Sequence, residues 1–233
     1  MRIVIIGLGG IGSFLSELIS KFLEYDDSIK DKKIVLVDGD IYESKNATRQ
    51  FFNHLQAGEN KAVQKQRELS YKYRSIEFSY ISTYVNISNI GGVIQEKDVV
   101  FLCVDNHKTR RIVSDYCSSL QNILLISGGN ELTDGNVHIY FRLNGESITP
   151  SLTDYNSEIL NSDDRSPEEM SCEELSQSLP QLLFTNVGAA TIMCWAFYSL
   201  ITKVKFVNVP SIVYFDILNL SVLPKIREVK TKN

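Results

Sequence analysis

The run Ile3-Val4-Ile5-Ile6, followed directly by Gly7-Leu8-Gly9-Gly10-Ile11-Gly12, decides how the chain is to be read. Four consecutive apolar residues make a strand covered on both faces, as in a parallel sheet. Behind the glycines, Ser13-Phe14-Leu15-Ser16-Glu17-Leu18-Ile19 and the residues on to Leu23 place apolar side chains at helical spacing. Strand, glycine turn and helix form one unit. Gly7 permits a tight turn, Gly9 lets the backbone approach a ligand phosphate, and Gly12 allows the helix to lie close on the strand. The free N–H groups at the helix start then point at an anion. Such glycine spacing recurs in ordinary turns, but a strand before it and a helix after it are the context that nucleotide binding requires.

The chain has 233 residues, 43% of them hydrophobic and 22% charged, which fits one large globular domain and excludes pervasive disorder. Its net charge of −4 and the lack of a basic stripe with interleaved aromatics give no reason to expect nucleic acid. Cys103, Cys117, Cys172 and Cys194 are far apart and form no CxxC pair, so they read as reduced thiols and no zinc is expected. No charged-then-apolar leader precedes the first strand. The longest apolar helix, near Val187 to Ile201, reads as too short for a bilayer span, so a cytoplasmic protein with no membrane partner is expected.

Ile34-Val35-Leu36-Val37 is a second all-apolar strand and ends at Asp38-Gly39-Asp40. An acid at that position accepts hydrogen bonds from ribose hydroxyls, which NAD and ATP share. Downstream, Asn46-Ala47-Thr48-Arg49-Gln50 and a helix entered through Gly58-Glu59-Asn60-Lys61-Ala62 put the cations Arg49 and Lys61 near the phosphate loop. A triphosphate, whose charge builds during transfer, needs such cations, whereas the pyrophosphate of NAD is satisfied by backbone N–H groups. On residue type alone, both read first as solvated surface charges, as most basic residues are.

Ile76 to Ile81 is the expected third strand and Val99 to Val104 the fourth, stopping at Asp105. Asp38 and Asp105 then face one cleft with the glycine loop, where Asp105 is a natural Mg²⁺ ligand beside a triphosphate, or a helix N-cap. Ile123 to Ser127 reads as a fifth strand ending in a Gly128-Gly129 turn, and Gly135 to Arg142 as a sixth. From about 144 to 180 the chain is rich in Ser, Asp and Glu and reads as a mobile crossover. Within it, Ser171 and Glu174 have capping-box spacing, placing Cys172 in a first helical turn that favours a thiolate, while the surrounding carboxylates oppose one. The last helix, from Gln181 to about Thr202, is apolar nearly all round, which points to burial in the core or against a second subunit. Two late strands, Ser211 to Ile217 and Leu220 to Leu223, close the fold. His54, His107 and His138 form no triad or metal set.

Taken together, Gly7 to Ser13, Asp38-Gly39-Asp40, Asn46 to Gln50, Gly58 to Ala62 and Cys103-Val104-Asp105-Asn106 resemble the ThiF/HesA/MoeB family, adenylating enzymes related to ubiquitin-activating enzymes. The resemblance implies an α/β single domain over residues 1–233, with a Rossmann-like doubly wound, mostly parallel sheet and late antiparallel strands. It further implies that Gly7, Gly9, Gly10, Gly12, Asp38, Asp40, Asn46, Arg49, Gln50 and Lys61 bind ATP, that Asp105 holds Mg²⁺, and that Cys172 stands where many members carry a thioester-forming or sulfur-transfer cysteine. The implied partner is a ubiquitin-like or sulfur-carrier protein with a C-terminal glycine, whose carboxylate is adenylated. A homodimer is implied as well. The CxxC zinc motif of many members is missing, and the chain starts at its first strand, without the extension from which some members reach into a neighbouring site. An NAD-dependent oxidoreductase needs only the glycine loop and Asp38 and leaves Arg49, Lys61 and Asp105 without a task. A catalytically silent nucleotide-binding scaffold is the other alternative.

Overall fold

The computed structural model describes residues 1–50, 57–160, 182–202, 206 and 208–229. The strands are β1 (Arg2–Ile6), β2 (Lys33–Val37), β3 (Glu77–Ile81), β4 (Val99–Leu102), β5 (Ile123–Asn130), β6 (Asp134–Leu143), β7 (Glu146–Ser147), β8 (Ile212–Asp216) and β9 (Ser221–Lys225). The helices are α1 (Gly10–Tyr25), α2 (Lys61–Lys72), α3 (Ile90–Val93), α4 (His107–Ser119), α5 (Leu152–Tyr155) and α6 (Leu183–Thr202).

Among the described residues, one sheet runs in the order β3-β2-β1-β4-β5-β6-β8-β9, with β7 paired to β6. The first five strands pair in parallel and the later ones antiparallel. This is the α/β doubly wound architecture expected from the uninterrupted apolar runs. The chain steps outward from β1 to β2 and β3, then returns to lay β4 on the other side of β1. The switch opens a crevice outside the carboxyl ends of β1 and β4, where such sheets hold ligands.

Two apolar layers flank the sheet. On one face Ile3, Ile5, Leu36 and Phe101 meet Phe14, Leu15 and Ile19 of α1, together with Ala189, Met193 and Phe197 of α6. Phe22 stands edge-on to Phe197 and Tyr198, at 6.1 and 5.8 Å between ring centroids, and locks α1 to α6. On the other face Val4, Val35, Val100 and Leu125 meet Val93, Val113, Cys117, Leu152 and Ile159.

Four expectations need correction. Gly128 and Gly129 do not turn; they continue β5, paired with Val137 and Asn136, because the antiparallel partner extends the ladder past the parallel part. The segment read as a mobile crossover is structured at its start: β7, α5 and a 3-10 turn at Ser157–Leu160 pack there, with Leu152 and Ile159 buried. The last strand runs over Ser221–Lys225 and carries Pro224, tolerated because β9 is an edge. Helix α6, close to its expected bounds, is apolar over more than the stretch near Val187 to Ile201: its 20 residues, Leu183–Thr202, are long and apolar enough by composition to cross a membrane, and one side of it forms the core layer against α1.

Candidate active site

The glycine loop separates two kinds of requirement. Gly7 has φ of +88°, and a Cβ on it would lie 2.9 Å from the Cys103 carbonyl group. A Cβ on Gly12 would lie 1.9 Å from the Gly7 carbonyl oxygen, and one on Gly10 would lie 2.5 Å from the Asn186 carboxamide. Gly9 is different, since the nearest atom to a Cβ there is the Gln50 amide nitrogen at 3.9 Å. Gly7 and Gly12 face backbone and are required by the chain itself, while Gly10 makes room for the buried Asn186 side chain. The fourth borders open space, as a backbone meant for close approach by a ligand does.

That space is a cleft of about 230 Å³, lined by Gly7, Gly9, Gly10, Asp38, Asp40, Asn46, Arg49, Gln50, Lys61 and Asp105. Every residue expected to bind nucleotide or metal therefore borders it except Gly12, which stands behind the loop. Cys172 and His54 lie outside the described residues.

Asp38 follows β2 and is 8% exposed; its carboxylate accepts hydrogen bonds from the Leu8 amide at 2.6 Å and the Asp40 amide at 2.8 Å. It thus straps the β2 end to the glycine loop. Burial pushes the Asp38 carboxyl above its usual range, with Lys61 opposing and the charge on Asp40 adding. Lys61, the first residue of α2, is 6% exposed and donates to the Asp40 carboxylate at 2.9 Å. Burial discourages its charge, but Asp38 and Asp40 outweigh that and hold the ammonium above the ordinary lysine value. The Tyr84 hydroxyl also donates to Asp40, and its ring fills the space a Cβ on Gly39 would need.

Arg49 and Gln50 leave a 3-10 turn over Ser44–Thr48 whose stem is Asn46. The buried Asn46 side chain accepts from the Glu43 amide at 2.9 Å, and its carbonyl accepts from the Arg49 and Gln50 amides at 3.1 and 3.0 Å. Gln50 is 5% exposed, and neither atom of its amide finds a partner among the described residues. A buried amide left unsatisfied costs about 1–3 kcal/mol. A polar ligand in the cleft would supply what it lacks.

Across the cleft, Asn106 rather than Asp105 caps α4, accepting from the Thr109 amide at 2.8 Å. Asp105 is exposed, borders the cleft and has no hydrogen bond or ion pair among the described residues. Arg110 donates to the Val104 carbonyl at 3.1 and 2.9 Å and to that of Gly128 at 3.2 Å, joining the ends of β4 and β5. Among the described residues no three His, Cys, Asp or Glu side chains gather to hold a metal. Cys103 and Cys117 are buried with thiols pushed up by desolvation, and burial raises Cys194 to about 12. Burial, with Arg227 and Arg110 adding, drives the His138 imidazole down to about 3. Tyr84, just beyond the end of β3, and Glu43, which caps the Ser44–Thr48 turn, also line the cleft and have no motif to announce them.

Among curated proteins, the chain is 30% identical over 159 residues to ubiquitin-like modifier-activating enzyme 5 of Dictyostelium discoideum, covering 63% of this chain and 40% of that protein. It is 28% identical over 144 residues to the adenylyltransferase and sulfurtransferase MOCS3 of Drosophila ananassae, covering 61% and 30%. The chain thus spans well under half the length of these relatives. In fold it is similar to E. coli MccB solved with ATP, with a TM-score of 0.72, 20% identity and coverage of 97% of this chain and 63% of that one. A family profile matches the sequence from end to end, and the chain belongs to the ThiF family, over residues 1–233.

Proposed function

We propose that this chain adenylates the C-terminal glycine carboxylate of a ubiquitin-like or sulfur-carrier protein at the expense of ATP. The observation that carries the reading is the convergence on one cleft of an open Gly9, a buried acid at the β2 end, Arg49 and Lys61, and a buried Gln50 amide with no partner among the described residues. The names of the relatives, an activating enzyme and an adenylyltransferase, support the same chemistry. An NAD site would make no use of Arg49 or Lys61.

In this reaction a carboxylate oxygen attacks the α-phosphorus. A new O–P bond forms, the bond to the bridging oxygen breaks, and pyrophosphate departs with the electron pair. The protein's task is alignment and charge neutralisation. Asp38 faces the ribose, Arg49 and Lys61 meet the phosphates, and Gln50 donates to a phosphate oxygen. Mg²⁺ commonly takes one or two carboxylates plus substrate phosphates, so the uncommitted Asp105 fits as its protein ligand, and the ion would neutralise phosphate charge. Cys172 is proposed to receive the acyl group as a thioester, its sulfur bonding to the acyl carbon as the carbon–oxygen bond to AMP breaks, AMP leaves and the thiol proton passes to solvent; the protein is proposed to act as a homodimer, and its place to be the cytoplasm.

The test is thermal stability with ATP and Mg²⁺, with NAD, and with neither, since a ligand that binds only the folded state stabilises it by mass action. ATP with Mg²⁺ is expected to raise the midpoint of the wild type and to do little for Arg49→Ala. Stabilisation by NAD alone would overturn the reading.

A further inference from the structure

Lys61 and the β2 acids belong to different elements, yet the nucleotide reading asks them to grip two parts of one ligand at a fixed spacing. Among the described residues, one side chain sets much of that spacing. Asn60 donates through its Nδ2 to the Asp38 carbonyl at 3.0 Å and to the Asp40 carbonyl at 3.0 Å. Its Oδ1 accepts from the Ala62 and Val63 amides at 3.0 and 3.2 Å, which caps α2. The Lys61 amide adds a bond of 2.9 Å to the Asp40 carbonyl. The two halves of one carboxamide therefore hold the two halves of the site, the acceptor half on the helix and the donor half on the strand end.

We infer that Asn60 is a positioning residue that fixes the distance between the ribose acid and the phosphate cation, and so governs the binding of a ligand that spans both. This rests on the ATP reading above. Fixing two contacts in advance helps a ligand that must make both at once, and does nothing for a ligand that makes only one. An ordinary helix cap makes a different demand: it needs only an acceptor, which serine supplies as well as asparagine.

Asn60→Ser keeps the cap and removes both donors to the strand end. The experiment titrates wild type and Asn60→Ser with ATP, with adenosine, which reaches only the ribose side, and with tripolyphosphate, which reaches only the cations. The expected result is a loss of about tenfold in ATP affinity, equivalent to about 1.4 kcal/mol, with adenosine and tripolyphosphate each within twofold of wild type. Asn60→Asp, which keeps the cap but sets a carboxylate against two carbonyl oxygens, is expected to lose more ATP affinity with the helix intact by circular dichroism. An equal loss for all three ligands would show that Asn60 only holds the fold together, and unchanged ATP affinity would show that the spacing is set elsewhere; either overturns the inference. A wild type that binds ATP no more tightly than adenosine overturns the function itself, and is seen before any variant is made.

Discussion

The Lys61 ammonium stands 2.9 Å from an Asp40 carboxylate oxygen, its own side chain 7% exposed and that of Asp40 43%. Without ligand, the cation assigned to phosphate is thus already held by the acids beside it. Lys61→Met removes the ammonium that Asp38 and Asp40 share. The expected cost is about 2 kcal/mol, below that of breaking a fully buried pair because Asp40 reaches solvent. The Asp38 carboxyl, already raised by burial, rises further in the variant. A raised folded value stabilises at low pH and is lost as pH rises through it. The deficit of Lys61→Met is therefore largest near neutrality and shrinks as pH falls towards the ordinary carboxylate range, which urea titrations across that span would read.

Gly9 and Gly12 should fail in opposite ways. Alanine at Gly12 collides with the Gly7 carbonyl oxygen and is expected to cost about 3 kcal/mol or more, or to prevent folding. Alanine at Gly9 meets nothing closer than 3.9 Å and should cost less than about 1 kcal/mol while projecting a methyl group into the cleft. Thermal midpoints with and without ATP separate the two outcomes: a folded Gly9→Ala protein that ATP no longer stabilises.

His138 gives the acid limb of the stability curve a distinct component. Its folded value is lowered, so its contribution is complete above the ordinary histidine value of 6.5 and is lost as pH falls from there towards about 3. Throughout that window the unfolded chain binds one more proton than the folded one. His138→Gln removes the proton and should flatten the curve there, whatever it costs at pH 7. Denaturant unfolding of both proteins across the window checks the slope.

The outer side of α6 exposes Phe184 by 73%, Trp195 by 59% and Tyr198 by 55%. If the proposed homodimer uses this side, Trp195→Lys is expected to lower the sedimenting mass to that of one chain while leaving thermal stabilisation by ATP in place. An unchanged mass would put any dimer contact elsewhere.

The parallel half of the fold could be read from the sequence because a strand buried on both faces must be apolar at every position, as Ile3 to Ile6 and Val99 to Leu102 are. The acids at strand ends followed from topology alone. What escaped depends on contacts distant in sequence. Gly128 and Gly129 resemble a turn until Met193 and Arg110 are seen filling the space their missing side chains leave. Asn60 resembles a simple cap, since the two carbonyls it holds lie 22 and 20 residues back. Asp105 and Asn106 are both good caps, and only the structure assigns the task to the second.

That last assignment changes the electrical character of the cleft. With the neutral amide spent on the helix, the Asp105 carboxyl group is left to border the open space. Among the described residues, the carboxylates of Asp38, Asp40, Glu43 and Asp105 then face three cations, Arg49, Lys61 and Arg110, around the same opening. Such a cleft exerts no long-range pull on a bare polyanion, unlike a site lined by one sign of charge. Entry of a nucleotide depends on short-range order and on whatever positive charge it brings along, so its association rate should change little with salt.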